Sequence, residues 1–301
     1  MTAIAKPNFF ILGAAKAGTT ALAAYLSQHP QIYMSPVKEP HFFALENENP
    51  AFLDSGDAAR AVTNWENYLK LFVESRGEKA IGEASTTYLH SEKAAKGIYD
   101  RFPNARLIVI LRQPIERAYS AFVMYRRESR EENEKLLDAI DYEHLGKHYA
   151  GESGVYLARG YYSQALMTYF DLFGRDNVKV YLYEEFRKQP QAMLDDLHSF
   201  IGVDQFQPDM SMAHNVGGLH KSQTLKTLLT RPNPVRFLAR RMLPEALRIG
   251  VRERIKRFDL QKAPEMDAVT WSILLEKYRE DIVTLQDLIQ QDLAHWLRPA
   301  P

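Results

Sequence analysis

The sequence predicts a three-layer α/β/α fold with a central, mainly parallel sheet and a helical C-terminal part. Short apolar runs alternate with segments of helical spacing through the first two thirds of the 301-residue chain. This alternation is typical of doubly wound sheets with helices on both faces. A glycine-containing turn also joins the first apolar run to the first helical segment, which indicates a ligand site there.

The elements follow one another in a regular order. The predicted strands are short apolar runs at residues 9–12, 32–34, 80–82, 107–111 and 178–182. The predicted helices have apolar residues at helical spacing and lie at residues 21–26, 65–73, 91–101, 114–127, 160–173, 190–201 and 271–296. We expect a single domain over residues 1–301, with an α/β core at 8–205 and a helical C-terminal extension at 206–301.

Composition excludes several classes of function. The formal net charge is zero, so no global field attracts nucleic acid, and we expect no nucleic-acid partner. The absence of cysteine rules out disulfides, thiolate chemistry and cysteine-based zinc sites. The first residues do not resemble a signal peptide, and no apolar stretch approaches the ~20 residues of a membrane span. We therefore expect a cytoplasmic protein without a transmembrane segment.

The turn after the first strand is a variant of a phosphate-binding loop. Residues 13–20 read GAAKAGTT, in which Gly13, Gly18 and Thr20 match the Walker A pattern. Thr19 takes the place of the usual lysine, and Lys16 lies three residues earlier. Exposed amides at a helix N-terminus attract anions. The loop therefore predicts a P-loop-containing fold that binds phosphate without a magnesium-bound triphosphate.

The fourth strand ends in a second candidate anion ligand. Arg112 directly follows this strand, where a Walker B aspartate would help to hold magnesium in a P-loop ATPase. Pro114 suits the first turn of a helix, which places Ser120 on its second turn. Because the guanidinium of arginine forms forked hydrogen bonds to phosphate, Arg112 and Ser120 predict a second phosphate subsite. We expect no metal requirement.

The two motifs together resemble the sulfotransferases that use 3′-phosphoadenosine 5′-phosphosulfate (PAPS), in particular the bacterial and heparan-sulfate-type branch. The similar segments are FILGAAKAGTT at 10–20, KEPHFF at 38–43, GEASTTYL at 82–89, LRQPIERAYS at 111–120 and the stretch 160–203. The likeness runs in order over about residues 8–205. It implies transfer of a sulfuryl group from PAPS to a hydroxyl or amine, with 3′-phosphoadenosine 5′-phosphate (PAP) as the product.

The resemblance also implies roles for individual residues. It gives the donor-binding role to the loop, the strand end and a later basic loop, at Lys16, Ala17, Gly18, Thr19, Thr20, Arg112, Ser120 and Lys221. Lys16 would in addition stabilise charge on the leaving phosphate. Glu83 aligns with the base of the heparan sulfate branch, and His41 is its rival. Lys38 and His41 would line the acceptor or transition-state region.

Two alternatives remain open at this point. A P-loop nucleotide kinase would place a lysine at position 19 and an acidic residue at the strand end, and both are missing. A non-catalytic nucleotide- or glycan-binding module fits the sequence less well, because Lys16, Glu83, Arg112 and Ser120 occur together. The acceptor can be a small molecule, a lipid or a saccharide. Residues 221–257 are strongly basic and can serve an acceptor, a membrane surface or a partner.

Overall fold

The computed structural model describes residues 5–49, 60–144, 155–211, 219–220, 260–261 and 263–300. Its strands are β1 (Phe9–Gly13), β2 (Ile32–Met34), β3 (Ala80–Ala84), β4 (Arg106–Leu111), β5 (Val178–Leu182), β6 (Leu219–His220) and β7 (Leu260–Gln261). Its α-helices are α1 (Thr19–Leu26), α2 (Phe42–Leu45), α3 (Trp65–Lys70), α4 (Glu92–Arg101), α5 (Pro114–Arg127), α6 (Leu136–His144), α7 (Ser163–Phe173), α8 (Tyr183–Lys188), α9 (Pro190–Ile201) and α10 (Ala268–Ile289). Short 3₁₀ turns lie at Ala158–Gly160, Arg175–Asn177 and Ala294–Leu297.

The centre of the fold is a five-stranded sheet in the order β2-β3-β1-β4-β5, in which every neighbouring pair is parallel. All five residues of β1 and of β3 are buried, as expected for strands covered by helices on both faces. A separate two-stranded antiparallel pair joins β6 and β7. The predicted α/β/α class with a central parallel sheet is confirmed.

Parallel strands bring their carboxyl ends to one edge of the sheet, which we term the carboxyl edge. There β1, β3, β4 and β5 end at Gly13, Ala84, Leu111 and Leu182, in spatial order β3-β1-β4-β5. One strand boundary differs from the prediction with a consequence for function. Because β3 continues to Ala84, Glu83 lies inside the strand, paired in register with Phe10 of β1, instead of following it.

The C-terminal helix α10 packs against α5 and α7 and joins the same hydrophobic core. Its Asp281 accepts hydrogen bonds from the backbone N–H groups of Tyr162 and Ser163, at 2.8 and 3.2 Å, where α7 begins. The predicted long helix to residue 296 ends earlier, because Gln290 adopts a left-handed conformation and a 3₁₀ turn follows. The division at residues 205 and 206 stays a prediction.

Helices α2, α6 and α8 were not predicted. They have four, nine and six residues, so α2 and α8 are too short to show a helical period. In the part of the chain that the structure describes, no helix has both the length and the apolar character that a membrane crossing requires.

Candidate active site at the carboxyl edge

The loop between β1 and α1 presents a helix N-terminus at the carboxyl edge. Gly18 is the N-cap of α1 and has φ 90°, a left-handed conformation that suits glycine. A Cβ at this position would lie 3.0 Å from the ring of Tyr183, so the loop can approach α8 only because residue 18 is glycine. Since glycine has no side chain to cap the helix, the first amides of α1, from Thr19 and Thr20, are available to an anion.

Lys16 adds a full positive charge to this loop. Its ammonium group contacts the thioether sulfur of Met124 at 3.1 Å, and among the described residues no carboxylate is within ion-pairing distance of it. Burial lowers the pKa of Lys16 to about 8, and the positive charges of Arg127, Arg112 and Lys38 add to this effect while Glu128 opposes it. A half-buried cation crowded by other cations is strongly stabilised by a bound anion.

Arg112 lies beside the loop, at the end of β4. One of its guanidinium nitrogens donates to the backbone carbonyl of Lys16 at 3.3 Å, and the others pair with Glu116 at 3.0 and 3.2 Å. The guanidinium also lies 4.9 Å from the ring centre of Tyr183. Ser120, four residues after Glu116, shares that face of α5. Arg112 and Ser120 therefore both lie next to Glu116, and their joint binding of one ligand group stays a prediction.

Glu39 is a partly exposed carboxylate at the same edge, beyond β3. Its side chain is 16% exposed and pairs with Lys38 at 2.6 Å. It also accepts a hydrogen bond from the backbone N–H of Thr86 at 2.7 Å. Burial alone would raise the pKa of Glu39, but the positive charge of Lys38, the nearby imidazole of His41 and the hydrogen bonds from Lys38 and Thr86 outweigh it and leave the pKa below its usual value. The carboxylate is therefore ionised at neutral pH.

Glu83 has very different surroundings. The residue is 0% exposed, and its carboxyl accepts hydrogen bonds from Ser85 and Tyr88, both at 2.7 Å, and from Tyr68 at 3.2 Å. Burial raises the pKa of Glu83 to about 7, although these three hydroxyls lower it. In this conformation the carboxyl has no exposed surface that could meet an acceptor, so its predicted role as the base stays a prediction that requires the site to open.

His41, the rival base, is also nearly buried, with 5% of its surface exposed. Its Nδ1 lies 3.0 Å from the hydroxyl of Thr87 and 3.8 Å from the carboxylate of Glu39. The imidazole therefore helps to hold the polar side chains of Glu39 and Thr87 in place. Of the predicted site residues, Lys221 lies outside the described residues, as does the whole of the basic segment 221–257.

Two charged residues at this edge were missed by the sequence reasoning. Glu39 lies between Lys38 and His41, which were both predicted as site residues. The sequence signal was therefore present, because the KEPHFF segment at 38–43 itself contains a carboxylate. Arg127 lies at the end of α5, where its position towards Lys16 depends on packing and not on a motif. Within the described ranges, no group of three or more His, Cys, Asp or Glu residues is placed to hold a metal ion.

Comparisons with known proteins show the family to which the chain belongs. A family model described as a sulfotransferase domain matches residues 6–215. The crystal structure of a sulfotransferase from Alicyclobacillus acidocaldarius superposes with a TM-score of 0.73 and 31% identity, covering 98% of this chain and 100% of that one.

Two curated relatives are similar over parts of their length. The membrane-associated sulfotransferase kil1 of Dictyostelium discoideum is 31% identical over 116 residues, which are 38% of this chain and 22% of that protein. The human bifunctional heparan sulfate N-deacetylase/N-sulfotransferase 3 is 25% identical over 303 residues, which are 97% of this chain and 31% of that protein. The chain thus spans less than a third of the length of either relative.

Proposed function

The chain belongs to the sulfotransferase domain family, and on this premise we propose that it transfers a sulfuryl group from PAPS to a hydroxyl or amine of an acceptor. The observation that carries the proposal is Lys16, a half-buried cation without a carboxylate partner among the described residues, on a loop that opens a helix. A cation in this loop would stabilise the negative charge that builds up on the departing phosphate during transfer.

Donor binding would use the two anion subsites at the carboxyl edge. The loop from Lys16 to Thr20, including the amide of Gly18, would hold the 5′-phosphosulfate. Ala17 would shape this loop, since its N–H donates to the carbonyl of Ala14 at 3.2 Å. Arg112 and Ser120 would hold the 3′-phosphate, with Arg112 exchanging Glu116 for the ligand. Lys221 would close over the 3′-phosphate. PAP would leave as the product, and no metal ion is required for these roles.

We favour Glu39 as the base, with Glu83 as the second candidate. The acceptor oxygen or nitrogen forms a bond to sulfur, the bond between sulfur and the 5′-phosphate oxygen breaks, and the base takes the acceptor proton. Glu39 is ionised and partly exposed at the same edge as Lys16, whereas Glu83 is enclosed by hydroxyl donors. Lys38 would assist by holding the Glu39 carboxylate and by adding positive charge near the transferred group.

For the acceptor we favour a saccharide over a lipid or another small molecule. The names of the similar proteins include heparan sulfate N-sulfotransferases and carbohydrate sulfotransferase 15. The chain covers 31% and 44% of those two proteins, so saccharide specificity in this chain rests on the proposal alone.

Ligand protection separates this proposal from a P-loop kinase. PAP at 100 times its dissociation constant should stabilise the protein by ~2.7 kcal/mol, whereas ATP with magnesium should give less protection at equal concentration. Equal or greater protection by ATP with magnesium would contradict the proposal. Incubation with labelled PAPS and a panel of saccharide, lipid and small-molecule acceptors then tests turnover. Binding of PAP without transfer to any acceptor would favour a non-catalytic binding module.

A further inference from the structure

Each carboxylate oxygen of Glu83 holds a different hydroxyl group. One oxygen, Oε2, accepts from Ser85 at 2.7 Å. The other, Oε1, accepts from Tyr88 at 2.7 Å and from Tyr68 at 3.2 Å. All four residues are 0% exposed, so these hydrogen bonds form away from water. We term these four residues the Glu83 pocket.

Two of the three hydroxyls continue to backbone amides at the start of α2. The hydroxyl of Ser85 accepts from the N–H of His41 at 3.2 Å, and that of Tyr88 accepts from the N–H of Phe43 at 3.3 Å. A hydroxyl that gives its proton to a carboxylate keeps its lone pairs for an N–H donor. Glu83 thus fixes two backbone positions through two parallel relays, whereas Tyr68 has no such continuation among the described contacts.

The backbone held in this way is strained and carries the partly exposed carboxylate of Glu39. Glu39 and His41 have φ of 61° and 56°, in the left-handed region that residues with a Cβ rarely adopt. Such conformations persist where the surroundings over-determine them. The end of β3 and the turn after it add two restraints, because Glu39 N–H donates to the carbonyl of Ala84 at 2.9 Å and its side chain accepts from Thr86.

We propose that Glu83 is a positioning residue, which acts through Ser85 and Tyr88 on the backbone of residues 41–43 and thereby sets the direction of the Glu39 carboxylate. This inference rests on the proposed function, because it concerns the geometry of the base in sulfuryl transfer. Two acceptor oxygens are needed, one for each relay, and the carboxyl supplies both in its ionised form, above its pKa of about 7. A glutamine at position 83 would offer one acceptor and one donor, so one relay would lose its anchor.

The test compares Glu83→Gln and Ser85→Ala with the matched control Tyr68→Phe. Ser85→Ala removes one oxygen atom and leaves the Glu83 carboxylate in place. Because a displacement of about 1 Å in an active site can cost ~10²-fold, we expect each variant to lower kcat by ~10–10²-fold with unchanged PAP affinity. Tyr68→Phe keeps both relays and should change kcat by less than about twofold.

A kcat for Ser85→Ala close to that of the wild type would overturn the inference, since a proton acceptor at Glu83 does not need the serine hydroxyl. Hydrogen exchange of the amides of residues 41–45 provides a readout that is independent of turnover. Faster exchange in Glu83→Gln and Ser85→Ala, but not in Tyr68→Phe, supports the relays even if the wild type transfers no sulfuryl group. Active Ser85→Ala protein with unchanged exchange removes the inference and leaves the proposed function intact. If Glu83→Gln does not fold, Ser85→Ala alone decides.

Discussion

Lys16, in the loop after β1, and Glu83, on the neighbouring strand β3, are ionisable residues with opposite kinds of surroundings. The carboxyl of Glu83 receives three hydroxyl donors and is fully buried. Lys16 contacts a thioether sulfur and lies in the field of other cations. A charge whose partners are all supplied by the fold contributes to structure, whereas one left with a weak partner favours a ligand of opposite charge.

The largest expected effect on kcat comes from a change of the proposed base. If Glu39 takes the acceptor proton, Glu39→Gln should lower kcat by ~10²–10⁴-fold. Turnover of labelled PAPS measures the effect, and PAP protection in thermal unfolding shows whether the donor site is intact. Glu48→Gln, which changes an exposed glutamate paired with Lys93, is the control. Retained turnover in Glu39→Gln would return the role of base to Glu83.

Lys16→Ala should have the second-largest effect on kcat. Loss of one group that stabilises developing negative charge typically lowers kcat by ~10²–10³-fold, and we expect a smaller loss of PAP affinity. Lys79→Ala is a matched control, because Lys79 pairs with Asp204 near the opposite edge of the sheet. A change confined to PAP affinity would assign Lys16 to binding and contradict a role at the leaving phosphate.

Arg112→Ala tests the assignment of the 3′-phosphate. Charge-assisted hydrogen bonds contribute ~1.5–3 kcal/mol, so PAP affinity should fall by ~10–10²-fold. Affinity for adenosine 5′-phosphosulfate, which lacks the 3′-phosphate, should change far less. Arg106→Ala removes an arginine at the other end of the same strand, where it bonds to the backbone carbonyl of Asp176, and should leave both affinities unchanged. Equal losses for both nucleotides in Arg112→Ala would place Arg112 at the 5′ side.

The smallest expected effect is the change of PAP affinity with pH. Because the pKa of Lys16 is lowered to about 8, the side chain is protonated below this pH and loses its charge above it. A bound anion raises that pKa, so binding takes up a proton above pH 8 and PAP affinity should fall by up to ~10-fold per pH unit there. Titration calorimetry from pH 7 to 10 measures the slope. Lys16→Arg keeps its charge and should abolish the slope, so a slope that persists would trace to another group.

The sheet and the phosphate loop were predictable because their signals are local. Each central strand is a short apolar run, and the loop combines glycines, a lysine and threonines in a fixed spacing. The different surroundings of Glu39 and Glu83 were not predictable, because they depend on burial. Glu83 is enclosed by Tyr68 of α3 and by residues after β3, and these contacts become visible only after the chain has folded.

The Asp281 cap has a consequence for the order in which the site forms during synthesis. This carboxylate, from α10, holds the start of α7, where Tyr162 also donates its hydroxyl proton to the carbonyl of Arg112 at 2.9 Å. A ribosome releases the chain from its N-terminus, so the phosphate loop and β4 emerge long before residue 281. The surroundings of Arg112 are therefore completed by a helix that is made long after β4, and a nascent chain that stalls before α10 lacks this support.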